Sequence, residues 1–195
     1  MIAVIRYGAG NVTSIMNALF KIGADARLTS DKDEIERASH VIFPGVGEAS
    51  SAMADLEKSG LKDVIRSLKR PFLGICLGMQ LMCSFSEEGD VPCLGIFPER
   101  VKLFPKDRGY KIPHVGWNTL ENTSGRLFAP TSDEEYVYFV HSYYVPYSEN
   151  TSASTRYDGL CFSSALEKGN FYGVQFHPEK SAGVGLGILR RFVEL

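Results

Sequence analysis

The stretch KRPFLGICLGMQLMCSF, residues 69–85, sets the interpretation of the whole chain. Its apolar run Phe72 to Ile75 predicts a buried strand, and the segment Leu77 to Phe85 predicts a helix. Cys76 lies between the two. The pattern therefore predicts a strand, a sharp turn and a helix, with a cysteine on the turn.

Small residues surround this cysteine, because Gly74 precedes it by two positions and Gly78 follows it by two. A residue on a tight strand-to-helix turn takes a strained backbone conformation, and neighbouring glycines remove the steric clashes. The start of a helix also favours a thiolate over a thiol. The pattern is that of the G-x-S-x-G nucleophile elbow with sulfur in place of oxygen. It favours a nucleophile over the alternative, a buried structural cysteine.

Strands alternate with helices through residue 85, which predicts right-handed crossovers and a mostly parallel central sheet flanked by helices, an α/β fold. Predicted strands are 2–6, 26–29, 41–43 and 72–75, and predicted helices are 13–22, 32–38, 50–59, 61–68 and 77–85. From Gly89 to Tyr157 the chain changes to loops and short β runs, which predicts additional antiparallel strands in the middle of the chain. At 195 residues we expect a single domain, 1–195.

A second group of polar residues follows a predicted strand near the end of the chain. Phe171 to Phe176 predicts a buried strand, and His177-Pro178-Glu179 comes directly after it. If the strands are parallel, His177 lies on the same rim of the sheet as Cys76, where open α/β sheets carry their active sites. Glu179 can turn back to the imidazole and fix its tautomer. The alternative is an ordinary helix start, with proline first and glutamate in the first turn.

Two glycine-containing loops follow strands. Pro44-Gly45-Val46-Gly47 leaves the third strand, and beside a thiolate its amides, with that of Leu77, become candidates for an oxyanion hole. A plain strand-to-helix connection is the alternative. The segment Gly8 to Thr13 resembles the start of a dinucleotide-binding fingerprint. However, Thr13 replaces the third glycine and the acidic residues about 20 positions on open a helix, so we expect only a tight turn.

Charge and composition argue against several classes of function. The net charge is -2 and no run of five or more basic residues occurs, which argues against a surface for nucleic acid or anionic membrane. The N-terminus does not resemble a signal peptide and no apolar stretch reaches the roughly 20 residues that span a bilayer, so we expect a cytoplasmic protein. The four cysteines form no C-x-x-C pair and the four histidines lie at spacings unlike a zinc site, so we expect no metal.

Three other histidines have weaker claims to function. His40 precedes a strand and has no partner in the pattern. His141 follows the apolar run 136–140, so it either lines the rim or packs in the core. His114 belongs to the segment 112–118, which holds the only tryptophan and is interpreted as a loop that forms a docking surface.

Taken together, these residues resemble those of the class I, triad-type glutamine amidotransferases. The resemblance covers essentially the whole chain and rests on PGVG (44–47), GICLGMQ (74–80) and QFHPEKS (175–181). YGAGN (7–11), and PHVGWN (113–118) with HSY (141–143), are similar to the members that act in histidine biosynthesis. The resemblance implies the flavodoxin-like fold of these glutaminases and no nicotinamide binding at residues 8–13.

The resemblance also implies roles for individual positions. Cys76 is the nucleophile, His177 the base and acid, and Glu179 the residue that orients it. Oxyanion amides come from Leu77, Val46 and Gly47, and substrate contacts from Gln80 and the backbone of Ser142 and Tyr143. Residues expected near a partner are Trp117, Asn118, Tyr138 and Lys180. One departure is that Glu48-Ala49-Ser50 follows the PGVG loop where the family usually has an aromatic or apolar residue, which bears on loop flexibility and leaves the triad untouched.

The implied reaction converts L-glutamine to L-glutamate and ammonia through a thioester, without a cofactor. Ammonia released into solvent is protonated and lost as a nucleophile, so a synthase partner is implied. By resemblance it is a (β/α)8-barrel cyclase subunit that forms a heterodimer and receives ammonia through a channel. It makes imidazole glycerol phosphate and aminoimidazole carboxamide ribotide. We hypothesise that the amides of residues 45–47 are misdirected until the partner binds, and equal glutaminase rates with and without the partner would contradict this.

Three alternatives stay open. A paralogue that supplies ammonia for sugar amidination or pyridoxal phosphate synthesis shares the same chemistry. A cysteine hydrolase of the same superfamily, acting on peptides or small amides, is disfavoured by Gln80 and the HSY segment. A flavodoxin-like binding module with a buried Cys76 requires that the placement of cysteine, histidine and glutamate be accidental.

Overall fold

The computed structural model describes residues 1–7, 12–106, 109, 111–128 and 135–195. Its strands are β1 (Ile2–Ile5), β2 (Ala26–Thr29), β3 (His40–Gly45), β4 (Phe72–Cys76), β5 (Phe85–Ser86), β6 (Val91–Pro92), β7 (Arg100–Leu103), β8 (His114–Leu120), β9 (Glu135–His141), β10 (Tyr143–Pro146), β11 (Thr151–Tyr157), β12 (Leu160–Lys168) and β13 (Phe171–Val174). Its helices are α1 (Thr13–Lys21), α2 (Lys32–Arg37), α3 (Ala49–Ser59), α4 (Leu61–Ser67), α5 (Leu77–Leu81) and α6 (Ala182–Val193), and a 3₁₀ turn spans Pro178–Lys180. The tight turn predicted at 8–11 lies outside the described residues.

Five strands form the parallel half of the central sheet, in the order β2-β1-β3-β4-β13. β1 and β4 are buried along their whole length, as expected for parallel strands covered on both faces. The predicted mostly parallel sheet is therefore confirmed. Its register pairs Gly45 with Cys76 and Ile75 with Val174, so the carboxyl ends of β3, β4 and β13 meet at one rim.

The antiparallel strands predicted for the middle of the chain are also present. They extend the sheet beyond β13 in the order β12-β10-β7-β5-β6, in which only the β5–β7 pair is parallel, and β11 pairs with β12. β8 and β9 form a separate antiparallel hairpin, paired from His114 with His141 to Leu120 with Glu135. This hairpin brings two of the histidines of the chain side by side.

Three features differ from the prediction. The fifth helix ends at Leu81 rather than at Phe85, because the amides of Met82 and Cys83 bond back only three residues and the chain then turns into β5. The segment 112–118, interpreted as a loop, belongs mostly to strand β8. The long strand β12 and the C-terminal helix α6 had no prediction at all. The amide of Gly185 in α6 bonds Ser181, directly after the turn that follows β13.

Candidate active site

Cys76 occupies a strained turn between β4 and α5. Its backbone has φ 54° and ψ -111°, a conformation that residues other than glycine rarely adopt. A Cβ added at Gly74 would lie 2.8 Å from the backbone of Gly78, and one added at Gly78 would lie 1.9 Å from the carbonyl oxygen of Phe43. The prediction that the flanking glycines remove clashes at a sharp elbow is confirmed. The thiol points toward the Val140 carbonyl, with 3.9 Å between sulfur and oxygen.

His177 and Glu179 lie where the chain leaves β13. The His177 Nδ1 atom is 2.8 Å from Glu179 Oε1, and both side chains are more than nine-tenths buried. The Ser181 hydroxyl donates to the His177 carbonyl at 2.6 Å, and the His177 amide donates to the Tyr138 carbonyl at 2.9 Å. These bonds fix the turn on both sides of the imidazole. Since Nδ1 faces the carboxylate, Nε2 is the atom left for chemistry.

Opposing influences act on the His177 imidazole. Burial favours the neutral ring, but the nearby Cys76 sulfur and the Glu179 carboxylate outweigh burial and raise the pKa of His177 to about 10. An imidazolium at neutral pH is therefore favoured beside the cysteine. Such a cation can protonate a leaving group and stabilise a sulfur anion.

A cavity of about 370 Å³ opens beside the cysteine and the histidine. The structure brings eight of the residues predicted for the site to its wall: Val46, Gly47, Cys76, Leu77, Gln80, Ser142, Tyr143 and His177. Glu179 lies behind His177, away from this wall. Lys180, predicted as an interface residue, also lines the cavity. The volume of this cavity lies within the range of small-molecule binding sites.

The loop after β3 approaches the elbow closely. A Cβ at Gly45 would lie 2.5 Å from the Gly78 amide nitrogen, so only glycine permits this contact. Gly47 has φ 111°, which also favours glycine. Glu48 then caps α3, because its carboxylate accepts hydrogen bonds from the amides of Ser50 and Ser51. The Ser50 hydroxyl also donates to this carboxylate, at 2.7 Å, and its bond, followed by that of the Ser51 amide, does most to lower the pKa of Glu48 to about 2.

Glu88 lines the same cavity and was not predicted from the sequence. One of its carboxylate oxygens accepts a hydrogen bond of 2.9 Å from the Ala49 amide at the start of α3. Burial, with the nearby charge of Glu48, raises the pKa of Glu88. In the sequence it stands among acidic and small residues between Phe85 and Val91, where a solvated loop is the normal interpretation, so no local signal identifies it.

The histidines of the hairpin form a buried pair. His114 Nδ1 is 3.0 Å from His141 Nε2, and His141 Nδ1 is 2.8 Å from the Tyr143 carbonyl oxygen. The Tyr143 carbonyl can only accept a hydrogen bond, so His141 carries its proton on Nδ1. The Nε2 atom of His141 then accepts a hydrogen bond from Nδ1 of His114. Burial lowers the pKa of His114 to about 4 and that of His141 to about 3, so both are neutral at pH 7. His141 thus lines the cavity, as one expectation had it, whereas His114 is not on a docking surface.

The outer face of the hairpin is apolar and exposed. Val115, Trp117 and Tyr136 are each more than half exposed, and Val140 is 36% exposed. Trp117 packs edge-on against Tyr138, and the Lys180 amine lies 5.8 Å from the centre of the Tyr138 ring. Three of the predicted interface residues therefore cluster. The fourth, Asn118, points to the opposite face, where its amide bonds the Arg156 carbonyl and lies 3.4 Å from His114.

Neither a metal site nor a membrane-spanning helix is found in the described part of the chain. Among those residues, no group of three or more histidine, cysteine, aspartate or glutamate side chains is placed to hold a metal ion. Within the same ranges, every helix is too short or too polar to cross a membrane.

Comparison with protein families matches residues 3–195 to the family described as glutamine amidotransferase class-I. The chain is 54% identical to the imidazole glycerol phosphate synthase subunit HisH of Bacteroides fragilis, over 100% of this chain and 99% of the relative. It is 48% identical to subunit HisH 2 of Legionella pneumophila and 47% identical to subunit HisH of Archaeoglobus fulgidus. Both alignments cover 100% of this chain and 98% of the relative.

Solved structures share the same architecture. A putative GMP synthase protein from Thermoplasma acidophilum superposes with a TM-score of 0.75, covering 99% of this chain and 92% of that one at 20% identity. A glutamine amidotransferase superposes with a TM-score of 0.74, covering 99% of this chain and 97% of that one, again at 20% identity. At this level of identity the likeness is evidence for the fold alone.

Proposed function

This chain belongs to the class I glutamine amidotransferase family, and we propose that it is the glutaminase subunit of an imidazole glycerol phosphate synthase. The observation that carries the proposal is the Cys76, His177 and Glu179 arrangement at the rim of the sheet, beside a cavity with a charged wall. Relatives that are named as HisH subunits, and are 47–54% identical over the whole chain, support the assignment to histidine biosynthesis.

We propose the following reaction sequence. The Cys76 sulfur attacks the carboxamide carbon of glutamine, and amides of Leu77, Val46 and Gly47 bind the oxygen that becomes negative. The His177 imidazolium gives its proton to the departing nitrogen, and ammonia leaves behind a thioester. A water molecule then loses a proton to His177 and attacks the thioester carbon, which releases glutamate and restores the sulfur anion. Glu179 keeps the Nε2 atom directed at these steps.

Charge along the cavity wall suits the amino-acid end of glutamine. Glu88 is the one carboxylate among the described residues that line the cavity, and we assign it to the α-ammonium group. The Tyr143 carbonyl already accepts hydrogen bonds from Gln80 and His141. Ser142 and Tyr143 both line the cavity, and we assign the substrate carboxylate to their amides.

We propose that the outer face of the hairpin docks the partner protein. Val140 belongs both to this face and to the cavity wall, and so does its neighbour Lys180. Ammonia that leaves the cavity at this side enters solvent unless a partner protein covers the opening. An exposed aromatic and aliphatic patch beside a reactive cavity is typical of an interface core. By resemblance the partner is a (β/α)8-barrel cyclase, and the pair works in the cytoplasm, where free cysteines such as the four found here stay reduced.

The test measures glutamate release by this protein on its own and after mixing with the barrel cyclase of its own histidine pathway and that enzyme's ribotide substrate. Cys76→Ala is the catalytic control. We expect activity that depends on Cys76 and rises on addition of the partner and ligand. Cys76-dependent activity that does not change when the cyclase and its ribotide are added would support the glutaminase chemistry but place the enzyme in another pathway. No activity in either condition would refute the proposal.

A matched pair of variants tests the docking face. Trp117→Ala removes a ring that is 53% exposed on the hairpin, and Phe20→Ala removes one that is 84% exposed on α1. Binding to the cyclase, measured by calorimetry, should weaken by about tenfold or more for Trp117→Ala, since buried tryptophans dominate interfaces. Phe20→Ala should bind as the wild type does. Equal affinities in all three proteins would exclude the hairpin face as the docking surface.

A further inference from the structure

We propose that Gln175 is a catalytic residue: its side-chain amide donates a hydrogen bond to the Cys76 sulfur, and Gln80 holds it in that orientation. The inference deepens the proposed glutaminase site. Gln175 Nε2 lies 3.7 Å from Cys76 Sγ, a distance at which an N–H group contacts sulfur. Its role was not apparent from the sequence, where it is the one polar side chain apart from Tyr172 in the predicted buried strand 171–176.

The orientation of both glutamine side chains follows from one backbone carbonyl. The Tyr143 carbonyl oxygen can only accept, and the Gln80 side chain lies 2.9 Å from it, so Gln80 must present its NH₂ group. The second hydrogen of that group points to Gln175 at 2.8 Å. Gln175 must therefore present its oxygen to Gln80. Its own NH₂ group is then left facing the sulfur of Cys76.

Both side chains are buried, so neither amide can flip and replace its lost hydrogen bonds with bonds to water. Gln175 has no exposed surface and Gln80 is 4% exposed. The Gln175 backbone is fixed as well, because its amide donates to the Ser164 carbonyl at 2.8 Å. If the Gln175 amide were flipped, its NH₂ group would face the NH₂ group of Gln80. The lost hydrogen bond is costly, because water cannot reach a buried pair to replace it.

The contact acts on the charged form of the sulfur. In the thiol form the Cys76 S–H group points to the Val140 carbonyl, a contact that is lost on ionisation because two electron-rich atoms then face each other. The Gln175 N–H group has the opposite effect, since it binds an anion better than a neutral sulfur. Together with the His177 imidazolium, it stabilises the thiolate.

This geometry also changes the role assigned to Gln80. Both of its N–H groups are used within the protein, by Tyr143 and by Gln175. What remains for a ligand in the cavity is its carbonyl oxygen. Gln80 is thus a positioning residue for the nucleophile, and any contact it makes with substrate is made as an acceptor.

The test follows alkylation of Cys76 by iodoacetamide as a function of pH. This reagent is small and uncharged, so its rate reports the thiolate whether or not glutamine is the substrate. A Cys161→Ser background removes the partly exposed thiol, and burial raises the pKa of both Cys83 and Cys93, to about 12 for Cys93. Cys76→Ala in the same background gives the residual rate to subtract. Gln175→Leu is the principal variant, and Gln175→Met, of similar length, replaces it if the first does not fold.

We expect Gln175→Leu to lower the alkylation rate by about tenfold at pH values below the wild-type midpoint, the factor that accompanies loss of one hydrogen bond to a charged atom. The midpoint of the rate against pH should move up by about one pH unit, while the rate at high pH should be unchanged or higher. Gln80→Leu should shift the midpoint in the same direction by less, and the double variant no further than Gln175→Leu alone.

A general disturbance of the site gives a different result. It would lower the rate by the same factor at every pH, and that outcome overturns the proposal. A folded variant whose profile coincides with that of the wild type overturns it too. If the profile shifts as expected but the wild type releases no glutamate from glutamine, the hydrogen bond stands and the proposed function fails.

Discussion

Replacing Gly185 by alanine should damage catalysis from outside the active site. An added Cβ at this position would lie 1.9 Å from the Pro178 carbonyl oxygen, 2.7 Å from its carbonyl carbon and 2.9 Å from its Cα. All three atoms belong to the backbone, so no side-chain rotation relieves the clash. Real Cβ atoms essentially never lie closer than 3.0 Å to such atoms, and ordinary contacts begin at 3.4 Å. Helix α6 and the 177–180 turn must therefore separate by about 1 Å, the difference between 3.0 and 1.9 Å.

The size of the effect follows from what this turn carries. It holds both His177 and Glu179, and a shift of about 1 Å in a catalytic group can cost on the order of 100-fold in rate. Overpacking costs roughly 1–3 kcal/mol, whereas replacing glycine in a helix returns about 1 kcal/mol. The variant should thus fold with a slightly lower melting temperature. We expect kcat for glutamine hydrolysis to fall about 100-fold with little change in KM.

Gly183→Ala is the matched control, since it makes the same change one half-turn earlier in α6 and meets nothing within 4 Å. Its kcat should equal that of the wild type, and its melting temperature should be equal or higher. Steady-state kinetics and thermal unfolding of both variants decide the matter. A folded Gly185→Ala enzyme with wild-type kcat would refute the argument, because the turn could then move without harm. An equal loss of kcat in both variants would show that the effect comes from changing helix α6 as a whole and not from the contact with Pro178.

Three other predictions concern charge. Glu88→Gln keeps a hydrogen-bond acceptor but loses the negative charge, so KM for glutamine should rise about tenfold or more at unchanged kcat, and a normal KM would remove Glu88 from substrate binding. Glu179→Gln removes a group that raises the pKa of His177, so kcat should fall on the order of 10³-fold and the titration of His177, followed by NMR, should move to lower pH; an unmoved titration would contradict the pairing. The pKa values of His114 and His141, about 4 and about 3, lie below that of an unfolded histidine, so the unfolded chain binds more protons below about pH 6.5. The free energy of unfolding should therefore drop between pH 7 and pH 5 by about 3 kcal/mol, because about 2 kcal/mol is lost for each of the two histidines and about 1 kcal/mol is gained from His177, whose raised pKa keeps it protonated in the folded protein. Urea unfolding that gives equal values at the two pH values would show that the pair is not neutral.

The elbow could be predicted because its cause is local. A strained residue needs small neighbours on its own chain segment, and a Cβ at Gly74 would indeed meet Gly78 and Met82 of that segment. Gly78 has a further reason to be glycine that the sequence does not show, its contact with the Phe43 carbonyl on β3. The parallel arrangement of the first strands could also be predicted, because it follows from strand and helix periodicity and from the handedness of crossovers. His177 could be placed near Cys76 because parallel strands end at the same rim.

The features that escaped prediction depend on contacts between distant segments. Glu88 meets the start of α3, 39 positions earlier, and Gln175 meets Cys76, 99 positions earlier. Neither pair has a spacing that periodicity could reveal. The end of α5 at Leu81 was missed for another reason, since the apolar run that continues to Phe85 suits a buried helix and a buried turn equally well. His114 was misplaced because a segment with proline and glycine was interpreted as a loop, whereas it forms a paired strand.

Glu48, which follows the PGVG loop and caps α3, limits how the amides proposed for the oxyanion can move. Upstream, Gly45 is fixed by its pairing with Cys76 and by its contact with the elbow. Downstream, the Glu48 carboxylate caps α3, and the Ala49 amide is held by Glu88. Only the two residues between these points are free of such restraints, and a Cβ at Gly47 would meet nothing within 4 Å. Any reorientation of the amides is therefore confined to the peptides of Val46 and Gly47. Glu88 connects this loop to the cavity, because the carboxylate that holds the start of α3 also lines the cavity wall.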